Sequence, residues 1–348
     1  MTASAPVIGV VGNDVPRQLL LALGARPQRL TGSWTGVIDP DAQQLLGATD
    51  AAVARLLTEL RGDAHSPDAL IVCNDSQAHL RLFYVLRATA AGLPVHLLDM
   101  PREASEPARR FARFQLEELA AFCAAVTGRT LDAASLAAAA DAEAALGDAL
   151  RRLRARRRAH PSQCAGADAL DAMQDAARLT PEDAVTRLDA TGGQAATVPS
   201  GAIRVHVTGS SHPDAAVYSE LESDARCVIV SEDHDTGDAA WLGDSVRGET
   251  TEHVLEGLID AHFARVTTSA TTSGAVRAAF TRDVARAAGA HAVAAIIREL
   301  DEAPLWDLAD QRAALEGTAF VSVRVAPGDE VGAARELVRE IVEKAVPA

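Results

Sequence analysis

The stretch IVCNDSQAHL, residues 71–80, passes from an apolar, β-branched run through a small polar turn into a helix-forming segment. Strand, polar turn and helix in that order form the repeating unit of a parallel α/β fold. Cys73 closes the strand, and its role decides how the chain is read: a metal ligand, a nucleophile, or the last apolar residue of a buried strand.

Outward from this unit the same alternation recurs. PVIGVVG (6–12) and PQRL (27–30) read as strands separated by a helix, VPRQLLLALG, closed by Gly24. TDAAVARLLTELRG (49–62) reads as a helix with Thr49 or Asp50 as N-cap and Gly62 at its end. DALIVC (68–73) and PVHLLD (94–99) follow as strands, with a helix over 77–91 between them. The strands are continuously apolar, which implies a sheet covered on both faces. From Ser105 to Asp189 strand signals stop, and alanine-rich segments favour helix. DATGGQAATVPSG (189–201) has linker composition. Alternation then returns with AIRVHVTG, RCVIVSED, HAVAAIIREL and TAFVSVRV as strands, with helices over 213–223, 251–265 and 273–288, another after the third strand, and a last one ending at Val346. The expected fold is α/β: two doubly wound parallel-sheet domains of Rossmann or flavodoxin type, at 1–104 and 202–348. A helical segment (105–190) and a linker (191–201) lie between them.

The chain has 348 residues, 48% of them hydrophobic and 23% charged, enough for two cores without covalent staples. A net charge of −15 argues against a nucleic-acid partner or an anionic membrane, because both are bound by clustered Lys and Arg. Apolar runs such as Val7–Val11 are far below the ~20 residues that cross a bilayer. The start, MTASAPVIGVVG, lacks a basic segment followed by an apolar one, so the expected location is the cytoplasm. Cys73, Cys123, Cys164 and Cys227 show no paired spacing and read as free thiols.

In doubly wound sheets ligands bind beside the carboxyl ends of the strands. Four turns occupy such places: NDVP (13–16), NDS (74–76), TGSSHPD (208–214) and EDHDTGD (232–238). Each suits an anion beside a helix start, and equally an ordinary N-cap. EDHDTGD gathers Glu232, Asp233, His234, Asp235 and Asp238, which reads as acid–base machinery, a metal site or a solvated acidic loop. RRLRARRR (151–158) reads as a receptor for nucleotide phosphates, a surface for an acidic partner, or a solvated helix face. No GxGxxG, P-loop or nucleophile-elbow motif is present.

Several segments together resemble the 2-hydroxyacyl-CoA dehydratase and benzoyl-CoA reductase family. They are NDVPRQLLLALGARPQRLTG (13–32), LPVHLLDMPR (93–102), TGRTLDAASLAAA (127–139), IRVHVTGS (203–210) and CVIVSEDHDTG (227–237). The resemblance implies a two-domain subunit paired with a sister subunit, a cysteine-held cubane iron–sulfur cluster between the domains, an ATP-hydrolysing activator that delivers a low-potential electron, and an acyl-CoA substrate. It also implies cluster ligands at three positions that here carry Thr49 (or Asp50), Asn74 and Leu300, although the aspartates that follow the last two, Asp75 and Asp301, remain. Cys73 lies one residue from the second position, and one residue along a strand turns a side chain to the opposite face.

The resulting expectation is a chain that binds no cofactor itself. The 4Fe–4S cluster belongs to a homologous partner subunit, with a Cys73-assisted cluster in this chain as the lesser reading. The partner makes a heterodimer; a homodimer is the other arrangement. The resemblance places Asp75, His234 and Asp301 as catalytic candidates and Asn74, Ser76, Ser210, Ser211 and Asp235 as substrate contacts. Asp75 and Asp301 are expected to face across the cleft with His234 as their hydrogen-bond donor. A non-catalytic scaffold subunit and an independent cluster-free enzyme are the alternatives.

Overall fold

A computed structural model describes residues 5–62, 67–90, 92–192, 199, 201–265 and 268–345. The first sheet is built from β1 (Val7–Val11), β2 (Arg26–Arg29), β3 (Ala69–Cys73) and β4 (Val95–Leu98). Between them run α1 (Arg17–Ala22), α2 (Pro40–Leu46), α3 (Ala51–Arg61) and α4 (Gln77–Thr89). The sheet is wholly parallel in the order β2-β1-β3-β4. Asp50 caps α3, its carboxylate accepting from Ala52 N, and Ser76 caps α4 by accepting from His79 N. α2 is not among the elements expected from the sequence, although Asp39 caps it and Pro40 occupies its first turn, both of them start signals.

Four helices fill the stretch from 106 to 190: α5 (Glu106–Thr127), α6 (Ala133–Arg158), α7 (Gly166–Ala176) and α8 (Pro181–Ala190). The second sheet follows with β5 (Ile203–Gly209), α9 (Ala216–Glu222), β6 (Cys227–Glu232), α10 (Thr251–Ala264), α11 (Gly274–Ala287), β7 (Ala292–Arg298), α12 (Ala303–Ala314), β8 (Ala319–Val325) and α13 (Glu330–Ala345). Its order, β6-β5-β7-β8, repeats that of the first sheet. The expected linker lies largely outside the described residues, as does Val346. Among the described residues no helix is long and apolar enough to cross a membrane.

In each sheet the chain moves to one side of the first strand and then to the other, so a crevice opens at the carboxyl end of that strand. A glycine stands at this point in both. Gly12 follows β1 with φ of 100°, and a Cβ there would meet Cys73 Cβ at 2.4 Å and Asp75 Oδ2 at 2.6 Å. Gly209 ends β5 with φ of 106°, and a Cβ there would meet Ile296 O at 2.4 Å. Both positions need the left-handed backbone and the missing side chain.

Packing crosses the order of the sequence. Val254, Leu255, Leu258 and Ile259 of α10 join the core of the first sheet, against Leu116 and Leu119 of α5. Trp34, from the loop after β2, is buried in the core of the second sheet with Val205, Tyr218 and Ile229.

The arginine run of α6 turns inward. Arg157 is fully buried, with Nη1 2.7 Å from Glu232 Oε2 and Nη2 2.7 Å from Asp238 Oδ2. Arg154 and Arg158 reach the same Asp238 at 2.7 and 3.0 Å, while Arg152 is bidentate to Asp189. The run is therefore neither a phosphate receptor nor a plainly solvated face; Glu232 and Asp238, at the end of β6 and in the turn after it, take half of its six charges. Burial pushes the Asp238 carboxyl up, but three guanidinium groups hold it far below the usual range. Replacing Arg157 by Ala leaves Glu232 and Asp238 buried without their central cation. The expected loss in urea unfolding of Arg157→Ala is about 3–5 kcal/mol, and a loss below about 1 kcal/mol contradicts this account of the run.

Candidate functional site

The carboxyl ends of both sheets line one cleft of about 460 Å³. From the first sheet come Gly12, the Arg29–Thr31 segment, Thr49, Asp50, Asp75, Ser76 and His79; from the second come Gly209–Ser211, Asp233–Thr236, Arg298, Leu300 and Asp301. Of the residues expected at the site from sequence, Asp75, Ser76, Ser210, Ser211, His234, Asp235 and Asp301 meet here, as do Thr49 and Leu300. Asn74 does not: its side-chain amide donates to Asp99 Oδ1 at 2.9 Å, on the side of β4.

Two reciprocal ion pairs cross the cleft. Arg298, at the end of β7, grips Asp50 with Nε at 3.0–3.1 Å from both carboxylate oxygens and Nη2 at 2.7 Å from Oδ2. Arg29, at the end of β2, places Nη2 3.0 Å from Asp235 Oδ2, and the Ser211 hydroxyl donates to the other oxygen of Asp235. Burial raises both carboxyls, but the facing arginines outweigh it and hold Asp50 and Asp235 below the usual range. Deeper in the second sheet, Arg277 of α11 binds Asp233 Oδ1 at 3.1 Å, and Thr281 donates to Asp233 Oδ2 at 2.5 Å.

The donor expected for the Asp75–Asp301 region is a different histidine. Both ring nitrogens of His234 are taken, Nε2 by the Tyr218 hydroxyl at 2.8 Å and Nδ1 by the Thr236 hydroxyl at 3.1 Å, and burial lowers its pKa. Asp75 is instead met by His79, whose Nδ1 lies 2.6 Å from Oδ1, while Asn13 N donates to Oδ2 at 2.7 Å. Asp301 stands 3.6 Å from Arg298 Nη2; burial pushes its carboxyl up, and that distant cation offsets only part of the rise. Leu300 holds a left-handed backbone, φ 66°, at the rim and is 47% exposed.

Sequence reasoning missed His79, Arg29 and Arg298. His79 sits four residues after Asp75, the spacing that brings side chains together at a helix start. Arg298 follows an apolar strand directly at its carboxyl end, where a charge is unexpected unless a partner waits.

The chemistry of the donors bears on a cubane cluster. Among the described residues, no thiol lines the cleft. Cys73 is buried in the core of the first sheet, its sulfur 3.4 Å from Asp14 N, and burial raises its pKa far above the ordinary value. Burial likewise pushes Cys123 to about 12 and Cys164 and Cys227 to about 11. Cluster ligands are mainly thiolates, and Thr49, Asn74 and Leu300 offer none, so the residues present do not fit the group.

Residues 13–298 match the family model described as 2-hydroxyglutaryl-CoA dehydratase, D-component. The chain belongs to this family. No curated protein matches the sequence. Among solved structures, the periplasmic zinc binding protein TroA from Treponema pallidum has 14% identity and a TM-score of 0.25, covering 99% of this chain and 100% of that one, a likeness too distant to bear on fold or function. Within the dehydratase D-component family, then, this chain keeps the two-sheet frame around a cleft without lining thiols.

The clamp gives a pH dependence of known sign. Carboxyls with depressed folded pKa values, such as Asp50 and Asp235, stabilise the fold above their unfolded value of ~4 and lose that contribution as pH falls through the folded value. In Asp50→Ala the Arg298 charge stays half-sequestered without its partner. The expected result is a loss of about 3 kcal/mol at pH 7, with the difference from the parent shrinking below pH 4. Thermal unfolding measured across pH 3–8 checks this, and a difference independent of pH contradicts it.

Proposed function

We propose that this chain binds an acyl-CoA thioester in the inter-domain cleft as one subunit of a 2-hydroxyacyl-CoA dehydratase-like complex, beside a homologous partner subunit that carries the iron–sulfur cluster. Membership of a family named for one component of a dehydratase supports the class. The observation that carries the reading is the cleft itself: it gathers the carboxyl ends of both sheets, keeps hydrogen-bonding side chains and presents no thiol. A cluster held by the partner would supply the electron, and this chain holds and orients the thioester.

Ser76 is the best-placed group for that task. Its Oγ accepts from His79 N at 3.1 Å and so keeps its O–H to donate to a ligand oxygen. Ser211 donates to Asp235, and Ser210 both accepts from Arg298 N and donates to Asp301, so both are already engaged. Burial pushes up the carboxyl of Asp301, which stands at the rim. Arg29, Arg277 and Arg298 are neutralised by aspartates. This mutual neutralisation favours, as the second reading, a non-catalytic subunit that keeps only the frame and the partner contact.

Calorimetry separates the two. The chain is expected to bind a short acyl-CoA saturably, and Ser76→Ala to weaken binding about tenfold, roughly 1.4 kcal/mol. Absence of binding, with and without the partner, leaves the scaffold reading. Anaerobic treatment with iron and sulfide should load well under one cluster per chain, unchanged in Cys73→Ser; a stable stoichiometric 4Fe–4S signal on the chain alone contradicts the assignment of the cluster to the partner.

A further inference from the structure

We propose that His79 is the proton-transferring residue of the cleft, with Asp75 as its positioning residue and Nε2 as the nitrogen offered to an oxygen of the bound thioester; this rests on the acyl-CoA reading. The geometry is that of an oriented imidazole. Asp75 Oδ1 takes Nδ1 at 2.6 Å, and Asp75 is itself immobilised by Asn13 N at 2.7 Å on its other oxygen. Gly12 makes room for that carboxylate, since a Cβ there would fall 2.6 Å from Oδ2. The ring is further fixed by its place in the first turn of α4, where its own N–H is capped by Ser76.

With Nδ1 bound to the carboxylate, the tautomer is set and the remaining ring nitrogen is left for other work. Nε2 has no hydrogen-bond partner among the described residues, and the side chain lines the cleft at 20% exposure. His234 contrasts with it, since both of its nitrogens are engaged and its side chain is buried. Of the two cleft histidines, only His79 is built to exchange a proton.

Its surroundings favour the charged form. Burial acts to lower the pKa, but Asp75 more than offsets it; Asp235 across the cleft adds to the rise and Arg29 opposes it. Asp50 also faces the ring, its charge largely matched by Arg298. In the transfer, the Nε2–H bond breaks with its electron pair remaining on the ring, and the proton forms an O–H bond at the ligand oxygen. The neutral ring then recovers a proton from water.

The test uses the full chain with 15N-labelled histidine, the His79 signals being identified by their loss in His79→Gln. They are expected to titrate above the ordinary value of ~6.5, and Asp75→Asn should lower that midpoint by about one unit or more. Butyryl-CoA, added at saturation by calorimetry, should shift the Nε2 resonance and move its midpoint. Binding that leaves the His79 signals unmoved overturns this proposal and leaves the thioester reading standing. No binding at all overturns both. If Asp75→Asn does not fold, the ligand-induced shift in the parent chain decides alone.

Discussion

The bidentate pair between Arg298 and Asp50 is the constraint around which the rest of the cleft is arranged. Withdrawing two such charges from water costs several kcal/mol each, and only close, well-aligned geometry offsets that cost. The geometry requires the end of β7 and the start of α3 to stay in register, although nearly 250 residues separate them in the chain. Arg29 and Asp235 repeat the device with the signs exchanged, the cation now coming from the first sheet and the anion from the second. Together the two clamps set the width of the cleft, and the Arg298 guanidinium lies 5.8 Å from the ring of Trp34, which anchors the first unit in the core of the second.

Much of this frame was legible in the residues. Continuous apolar strands broken by Gly- and Asp-bearing turns predicted two covered parallel sheets, because periodicity and turn chemistry are local properties. The helical character of the 106–190 stretch followed from its alanine content for the same reason. What stayed hidden depended on partners distant in sequence. Nothing local in RRLRARRR announces that Arg157 is buried against Glu232 and Asp238, and nothing in EDHDTGD shows that Tyr218 and Thr236 occupy both nitrogens of His234. Asn74 illustrates the finer difficulty: adjacent to Asp75 in a turn, it points to the neighbouring strand while Asp75 enters the cleft.

The cleft is polar yet largely self-neutralised. Asp50, Asp233 and Asp235 each face an arginine, so its field is weaker than its six lining acidic side chains would suggest. Among the groups with capacity left, the Ser76 hydroxyl and His79 Nε2 lie within four residues of one another at the start of α4. That helix start, and not the conspicuous acidic turn after β6, concentrates what the cleft can offer to a ligand.

The return of α10 to the first sheet has a consequence for how the molecule is made. The face of that sheet lined by Leu19, Leu23 and Leu116 is completed only by Val254, Leu255, Leu258 and Ile259. On the ribosome the first half emerges with this apolar surface open, and it stays open until residue 259 and the rest of its helix have left the exit tunnel. Trp34 waits in the same way for the core of a sheet not yet synthesised. Such long-range closure slows folding and prolongs the exposure of apolar surface. The nascent first unit is therefore a natural client for chaperones, and neither half of the chain is a good candidate for separate expression.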